Sequence, residues 1–330
     1  MGVNNNPIKI LLNPKLYLNL PFNFLLMLEI NVHNETSKLE AVVLGLPDDF
    51  GGTPKIEDCY DPKSIEYVTK GLFPKQEDIT NEMNAVLEVL NKYGVKVYRP
   101  ENIPSLNQIF SRDISFVIDD KFIVPNIISD RSKEVEALSY LHSQFREGSL
   151  IKMPQNTRLE GGDVMLCNDY VFVGYSETED FEKYQVARTN RAAIEFLQTT
   201  FPNKQLKGFE LKKSDDNPKE NALHLDCCFQ PIGKHSAIVY KEGFKNVSDV
   251  DFLINYFGED NIVFISQDEM YQMNSNIFSI SPEVIISEKS FNRLNDELRK
   301  RGFTVEEVPY AEISKMEGLL RCSTLPLRRV

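Results

Sequence analysis

The feature that most constrains the fold of this chain is an internal repeat of paired strand-like segments. Four stretches share one pattern, in which a polar residue precedes an apolar segment, a tight turn and a second apolar segment. This pattern predicts a β-hairpin in each stretch. The four stretches are DISFVIDDKFIVP from Asp113, DVMLCNDYVFVG from Asp163, DCCFQPIGKHSAIVY from Asp226 and NIFSISPEVIIS from Asn276. Their loosely regular spacing indicates a repeated structural unit.

Helix-like and strand-like segments follow the hairpins. Apolar residues recur with the 3.6-residue helical period in EVEALSYLHSQF, VARTNRAAIEFLQTTF, DVDFLINYFG and SFNRLNDELRKRG. Further strands, such as NIVFIS and TVEEVP, come after helices. The repeated unit is therefore predicted to be ββαβ.

The two ends of the chain supply the pieces of a fifth unit. LEAVVLG near the beginning and RCSTLPLRR at the end are strand-like, and QEDITNEMNAVLEVLNKYG is helix-like. Pairing the first strand with the last would close a ring and leave no exposed sheet edge at the junction. We predict an α/β fold, a five-bladed pseudo-symmetric propeller of ββαβ units.

Residues 1–26 differ from the rest of the chain. They are apolar but interrupted by Asn and Pro, and they match neither a signal peptide nor a membrane span. We expect an N-terminal extension over 1–26 and a single catalytic domain over 27–330.

Charge and cysteine content narrow the functional classes. The net charge of −12 argues against a nucleic-acid surface and favours a cationic small-molecule ligand. Five cysteines without a C-x-x-C pair predict free thiols and a reducing, cytoplasmic location. We expect no membrane partner and no cofactor, and a homo-oligomer is an open possibility.

The reactive side chains occupy equivalent points of the repeat, at the beginnings of hairpins or strands. In a ring of repeated units such points face one axis, so these residues are expected to meet in one pocket. They are Arg112 and Asp113, Glu160 and Asp163, His224 and Asp226, Asn274 and Asn276, and Cys322.

This inventory predicts chemistry on a guanidinium group. Carboxylates match its planar array of N–H donors, so Asp113 and Asp226 would bind it. Cys322, as a thiolate, would attack the central carbon. His224, oriented by Glu160, would protonate the leaving nitrogen and then activate the second nucleophile. Water would give hydrolysis, and an amine would give amidino transfer.

A zinc site is the alternative interpretation of HLDCC. On a strand, however, His224 and Asp226 would share one face and Cys227 the other. No second cluster in the sequence supplies the remaining ligands that structural zinc usually needs. We therefore predict no metal.

The motifs FSRD, LEGGD, HLD and RCST occur here in the order typical of the pentein superfamily of guanidino-modifying enzymes, which this chain resembles. The resemblance implies a five-bladed propeller, a catalytic set of Cys322, His224 and Glu160, guanidinium binding by Asp113 and Asp226, and no required metal. HLD followed by RCST is most similar to arginine deiminases. The segment before the nucleophile, KMEGLLRC, departs from the glycine-rich run of typical deiminases.

Several alternatives stay open at this point. Arg321 would either contact a substrate carboxylate or form a structural salt bridge, and Asp163 would either contact substrate or support the Gly161-Gly162 turn. The expected reaction is arginine deimination to citrulline and ammonia. The alternatives are an amidinotransferase, a dimethylarginine dimethylaminohydrolase, and a non-catalytic binding protein of the same fold, such as the ribosome-associated factors that share it.

Overall fold

The protein is described by a computed structural model over residues 27–330, and the predicted extension 1–26 lies outside these described residues. Within them, fifteen strands form five three-stranded sheets. Each sheet has one antiparallel pair and one parallel pair. This repetition is the pseudo-symmetric α/β propeller that the sequence predicts.

Four of the sheets consist of a hairpin and a later strand that pairs in parallel with its second strand. A parallel third strand needs a long crossover, and the helical segments supply it. The strands are β3 Phe116–Ile118, β4 Lys121–Val124 and β5 Leu150–Lys152; β6 Val164–Cys167, β7 Tyr170–Tyr175 and β8 Gln205–Glu210; β9 Phe229–Ile232, β10 Ser236–Val239 and β11 Ile262–Phe264; and β12 Phe278–Ser279, β13 Val284–Glu288 and β14 Thr304–Val308.

The fifth sheet joins the two ends of the described chain. Strand β1 (Leu39–Leu44) lies between β15 (Thr324–Arg329), to which it is antiparallel, and β2 (Lys96–Tyr98), to which it is parallel. The predicted pairing of the first and last strands is confirmed.

The helices fall near the predicted positions, with two differences. The segment VARTNRAAIEFLQTTF becomes helical only after Asn190, whose side chain caps the helix by accepting a hydrogen bond from the Ala193 amide. The segment Ser129–Gln144 forms 3-10 turns rather than an α-helix. The α-helices are α1 Pro62–Thr69, α2 Gln76–Lys92, α3 Ser111–Ile114, α4 Thr178–Lys183, α5 Arg191–Thr200, α6 Val247–Phe257, α7 Gln267–Tyr271 and α8 Asn292–Lys300.

Short helical turns, rather than strand ends, carry the reactive residues. Asp113 lies in α3, Asp163 in a 3-10 turn over Gly161–Asp163, and Asp226 in a 3-10 turn over Leu225–Cys227. Cys322 lies in a turn before β15. The prediction that His224 and Cys227 lie on opposite faces of a strand was therefore wrong, because β9 begins only at Phe229.

Apolar packing surrounds the sheets and holds these turns in place. Phe172 of β7 and Phe229 of β9 are fully buried and pack edge to face. Burial of such side chains stabilises each by about 2 to 3 kcal/mol. No helix in residues 27–330 combines the length and apolar character needed to cross a bilayer.

Candidate active site

Cys322 contacts side chains of two other units. Its Sγ lies 3.1 Å from Nδ2 of Asn276 and 3.6 Å from Oδ2 of Asp226. The Asn276 amide is fixed, because its Oδ1 accepts a hydrogen bond from the Cys322 backbone N–H at 3.1 Å. Asn276 therefore presents an N–H donor to the sulfur, which is the partner that a thiolate favours.

His224 is held between two carboxylates. Its Nε2 lies 2.9 Å from Oε2 of Glu160, and its Nδ1 lies 3.8 Å from Oδ1 of Asp113. Gly162 packs on this ring, since a Cβ built there would lie 2.6 Å from His224 Nδ1 and 2.9 Å from Asp113 Oδ1. Glycine is required here by close approach.

Asp113 and Asp226 share an unusual hydrogen-bonding state. Oδ2 of Asp113 accepts from Arg131 at 2.8 Å, and Oδ2 of Asp226 accepts from Arg321 at 2.9 Å. The Oδ1 atom of each is buried without a hydrogen-bond partner among the described residues. Two unpaired carboxylate oxygens in the interior are costly, and together they form an acceptor site for N–H donors.

Glu160 carries its negative charge among cations. Arg188 contacts both of its oxygens, at 3.2 and 3.1 Å, and Arg131 lies 3.4 Å away. Burial would raise the pKa of Glu160, but Arg188, the hydrogen bond to His224 and Arg131 hold this pKa well below its usual range. The ionised carboxylate fixes the orientation of the imidazole.

The pKa values of His224 and Cys322 are both raised. Burial would lower the pKa of His224, but Asp113 and Glu160 outweigh it and raise the pKa. Burial raises the pKa of Cys322 well above its ordinary value, and Asp226 and Asp113 raise it further. Both shifts are toward the protonated form of the group.

Asp163 supports the site from behind. Its Oδ2 accepts from the Thr189 hydroxyl at 2.6 Å, and its Oδ1 accepts from the Leu225 backbone N–H at 2.9 Å. Both oxygens bind protein groups next to His224. This geometry supports the alternative in which Asp163 is a strut.

Arg321 is fully buried, and each of its five N–H groups has an acceptor. Its guanidinium contacts Glu35 at 3.1 Å, Asp226 at 2.9 Å, and the backbone carbonyls of Gly162 and Val164. No donor is left for a substrate carboxylate, so this geometry supports the structural salt bridge. Arg112 also lies 3.4 Å from Glu35, so it too forms a buried ion pair rather than a free contact for substrate.

Sequence reasoning missed Arg131, Arg188, Glu134 and Glu35. Arg131 and Arg188 lie outside the hairpin motifs, and nothing in their local sequence distinguishes them from surface arginines. The one available signal is position: Arg131 follows Asp113, and Arg188 follows Glu160, within the same repeated unit.

A cavity of about 300 Å³ lies beside this cluster. Its lining includes Tyr60, Asp61, Asp130, Glu134 and Met316. Glu134 binds Arg131 through both oxygens, at 3.0 and 2.8 Å. The Arg131–Glu134 pair therefore stands between the cavity and Asp113.

Three side chains of the site also have a metal-ligand arrangement. Asp113, Glu160 and His224 can each offer one ligand atom, and these atoms lie within 4.8 Å of one another. A metal ion there would compete with the guanidinium groups of Arg131 and Arg188, which already contact the two carboxylates.

Solved structures with the same fold include guanidino-modifying enzymes. The N-terminal domain of ArgZ, an arginine dihydrolase from the ornithine-ammonia cycle in cyanobacteria, has a TM-score of 0.72 with 16% identity, over 88% of this chain and 98% of that domain. SxtG, an amidinotransferase from Microseira wollei in the saxitoxin pathway, has a TM-score of 0.69 with 19% identity, over 91% of this chain and 97% of SxtG.

Sequence relatives point in the same direction. YkgA of Bacillus subtilis, an uncharacterized protein, is 29% identical over 252 residues, which are 76% of this chain and 80% of YkgA. The arginine deiminase of Listeria innocua is 28% identical over 205 residues, 52% of this chain. The match spans about half of the deiminase, 47% of its length.

Fold, site and relatives together define a guanidino-modifying enzyme of the pentein superfamily. Within it, the family model for eukaryotic N,N dimethylarginine dimethylhydrolase matches residues 70–329. The chain belongs to this family.

Proposed function

We propose that this protein hydrolyses a guanidino substrate through a covalent intermediate on Cys322, and that the substrate is arginine, which yields citrulline and ammonia. The observation that carries the proposal is the pair of unpartnered oxygens, Oδ1 of Asp113 and Oδ1 of Asp226. A planar guanidinium supplies N–H donors to both, and its charge would offset theirs.

Substrate binding would also activate the nucleophile. Asp226 and Asp113 raise the pKa of Cys322, after the larger effect of burial. A cation held between these carboxylates opposes that effect and favours the thiolate. Asn276 then donates to the sulfur at 3.1 Å, so the thiolate forms only beside its target carbon.

The proposed reaction has two stages, formation of a covalent intermediate and its hydrolysis. The thiolate of Cys322 forms an S–C bond to the guanidinium carbon, and the protonated His224 gives its proton to a terminal nitrogen, which leaves as ammonia. His224 then takes a proton from water, which attacks the same carbon. The S–C bond breaks with the thiolate as leaving group, the added hydroxyl group gives its proton to solvent, and citrulline is released. The proton that the Cys322 thiol loses when substrate binds also passes to solvent. Glu160 holds the imidazole throughout.

Arginine offers more hydrogen bonds than its dimethylated form. All three guanidinium nitrogens of arginine carry N–H donors, whereas a dimethylated nitrogen has none and only the other two nitrogens can reach the free carboxylate oxygens. Dimethylarginine is the second candidate because the family match favours it. Its hydrolysis would release citrulline and dimethylamine by the same steps.

One assay separates these reactions. Purified protein is incubated with arginine, with and without glycine, and separately with dimethylarginine, and citrulline, ammonia, dimethylamine and ornithine are quantified. We expect citrulline and ammonia from arginine, independent of glycine, and no product from Cys322→Ala. Ornithine that appears only with glycine would establish amidino transfer instead. Ornithine without glycine, or substantial turnover by Cys322→Ala, would contradict the proposal.

A further inference from the structure

Glu317 has a backbone conformation that its residue type disfavours. It lies five positions before Cys322, in the segment KMEGLLRC, with φ of 57°. This left-handed region favours glycine, and a residue with a Cβ pays about 1 kcal/mol or more to occupy it. The side chain is nonetheless buried, at 6% exposure. Contacts of the carboxyl group must compensate for this cost.

Those contacts join three separate segments. Oε1 of Glu317 accepts from the Asn221 amide at 2.8 Å, and Oε2 accepts from the Lys63 backbone N–H at 3.5 Å. The same carboxyl lies within hydrogen-bonding reach of the Asp61 carboxyl. Asn221 precedes His224 by three residues. Glu317 therefore links the Cys322 turn to the His224 turn and to the beginning of α1.

The third segment forms a wall of the cavity. Asp61 caps α1 by accepting from the Ser64 backbone N–H at 2.6 Å. Asp61, Ser64 and Met316 all line the cavity beside the active site. A single side chain thus connects this wall to both reactive turns.

The contact between Asp61 and Glu317 requires a proton, because two carboxyl groups can hydrogen-bond only when one is protonated. Burial raises the pKa of Glu317 well above its ordinary value, and Asp61 raises it further. The other titratable groups near this pair are Lys63, from α1, and Cys227, from the His224 turn. The Lys63 ammonium donates to the Tyr271 carbonyl at 2.7 Å.

We propose that Glu317 is a positioning residue whose neutral carboxyl group clamps the Cys322 turn to the His224 turn and to the cavity wall. The inference rests on the proposed role of Cys322 as nucleophile. When pH rises enough to ionise Glu317, the hydrogen bond between the two carboxyl groups is lost and the clamp loosens toward the cavity wall, while Asn221 and Lys63 keep their acceptor. Misplacement of the sulfur then lowers the rate of attack.

Two substitutions separate the carboxyl group from the backbone. Glu317→Gln keeps an acceptor for Asn221 and donates an N–H to Asp61 at every pH, and it gives up only the long 3.5 Å contact with the Lys63 backbone N–H. Glu317→Gly suits the left-handed backbone and removes the clamp. We expect kcat to fall by about tenfold or more in the glycine variant, with a smaller change in KM. The glutamine variant should retain kcat in the alkaline range where the wild type declines.

The decisive readout is the rate at which iodoacetamide alkylates Cys322, measured by peptide mass spectrometry as a function of pH. The ratio of wild-type to Glu317→Gln rates should be near one in acid and should diverge in alkali. Glu312→Gln, in the same turn and ion-paired to Lys315, serves as control and should follow the wild type throughout.

Two outcomes would overturn the clamp. One is identical alkylation and kcat profiles for wild type, Glu317→Gln and Glu317→Gly. The other is a glycine variant with a lower Tm but an unchanged kcat and pH profile, which would leave Glu317 a structural residue. Alkylation requires no guanidino substrate. A diverging alkylation ratio without turnover of any guanidino compound would therefore refute the proposed reaction and leave the clamp intact.

Discussion

Two carboxylate–guanidinium pairs flank the reactive sulfur and imidazole, and they differ in how firmly the arginine is held. Arg321, paired with Asp226, has protein acceptors for every N–H group. Arg131, paired with Asp113, also binds Glu134, which lines the cavity. The first pair belongs to a closed interior network, whereas the second is one side chain away from the cavity.

This difference distinguishes a pair inside the framework of the protein from a pair beside the cavity. Arg321 joins residues of three units, Glu35, Asp226 and the carbonyls of Gly162 and Val164. Arg131 binds mainly within its own unit, and its partner Glu134 lines the cavity. We infer that the Arg321 pair is part of the framework, and that the Arg131 pair forms part of the boundary between the cavity and Asp113.

The largest expected effect is on stability at Arg321. Arg321→Met leaves the buried Asp226 without its cation and Glu35 with Arg112 alone, and removing one partner of such a pair costs about 3 to 5 kcal/mol. Arg131→Met should cost less, because Glu160 keeps its ion pair with Arg188 and Glu134 lines the cavity. Urea denaturation of both variants measures the difference, and equal losses would erase the distinction between the two pairs.

The free energy of unfolding should depend on pH through Glu35, which pairs with Arg321. Burial would raise the pKa of Glu35, but Arg321 and Arg112 lower it from 4.5 to about 2. Because the folded-state pKa is depressed, the stabilisation is present above pH 4.5 and is lost as pH falls toward 2. This shift corresponds to about 3 kcal/mol.

The pH dependence is tested by comparing Glu35→Gln with the wild type in urea between neutral pH and pH 2. The variant should lack this part of the acid-induced loss, and the exposed control Glu147→Gln should retain it. The same loss in Glu35→Gln as in the wild type would show that Glu35 is not ionised in the folded protein.

The two aspartates should contribute similarly to binding but differently to folding. In a Cys322→Ala background, Asp113→Asn and Asp226→Asn should each weaken arginine binding by about 2 kcal/mol, because each loses a charge-assisted hydrogen bond. Only Asp226→Asn should also lower the free energy of unfolding appreciably. Calorimetric titration and urea denaturation measure the two effects. Unchanged affinity in both variants, with exposed Asp120→Asn as reference, would place the guanidinium elsewhere.

The smallest effect is expected at Gly162, which touches both pairs. Its carbonyl accepts from Arg321, and an added Cβ would press on His224 and Asp113. Gly162→Ala should lower kcat/KM by about tenfold, since overpacking by one methyl costs about 1 to 3 kcal/mol. Gly302→Ala, which adds its Cβ in open space but at a φ of 92°, should lower the free energy of unfolding and leave kcat/KM unchanged. Full activity in Gly162→Ala would show that the imidazole has room to move.

The sequence predicts the propeller well because its signals are local and repeated. Asp119 and Asn168 lie between the two apolar segments of their stretches, where the repeat predicts a tight turn, and both have positive φ, as such turns require. The five-fold repetition then fixes which points converge. Cys322, His224, Asp226 and Asp113 meet because they occupy such equivalent points of the repeat.

The charge network could not be predicted, because it depends on side chains that no repeat position specifies. Arg131 lies in the 3-10 segment Ser129–Gln144, where a regular α-helix was expected. Glu35 precedes the first sheet strand and meets Arg321 from the far end of the chain. The left-handed conformation of Glu317 is likewise invisible in its local sequence, where glycine would be the expected residue.

The proposed reaction depends on a covalent bond between the sulfur of Cys322 and the guanidinium carbon. The most direct measurement is acid quenching of protein mixed with arginine, followed by mass spectrometry of the intact chain and of its Cys322 peptide. If Cys322 is the nucleophile of a hydrolysis, we expect an adduct on Cys322 with the mass of arginine less ammonia, absent from Cys322→Ala. An adduct carrying only the amidino group would indicate transfer chemistry. Turnover of arginine without any adduct on Cys322 would contradict the account.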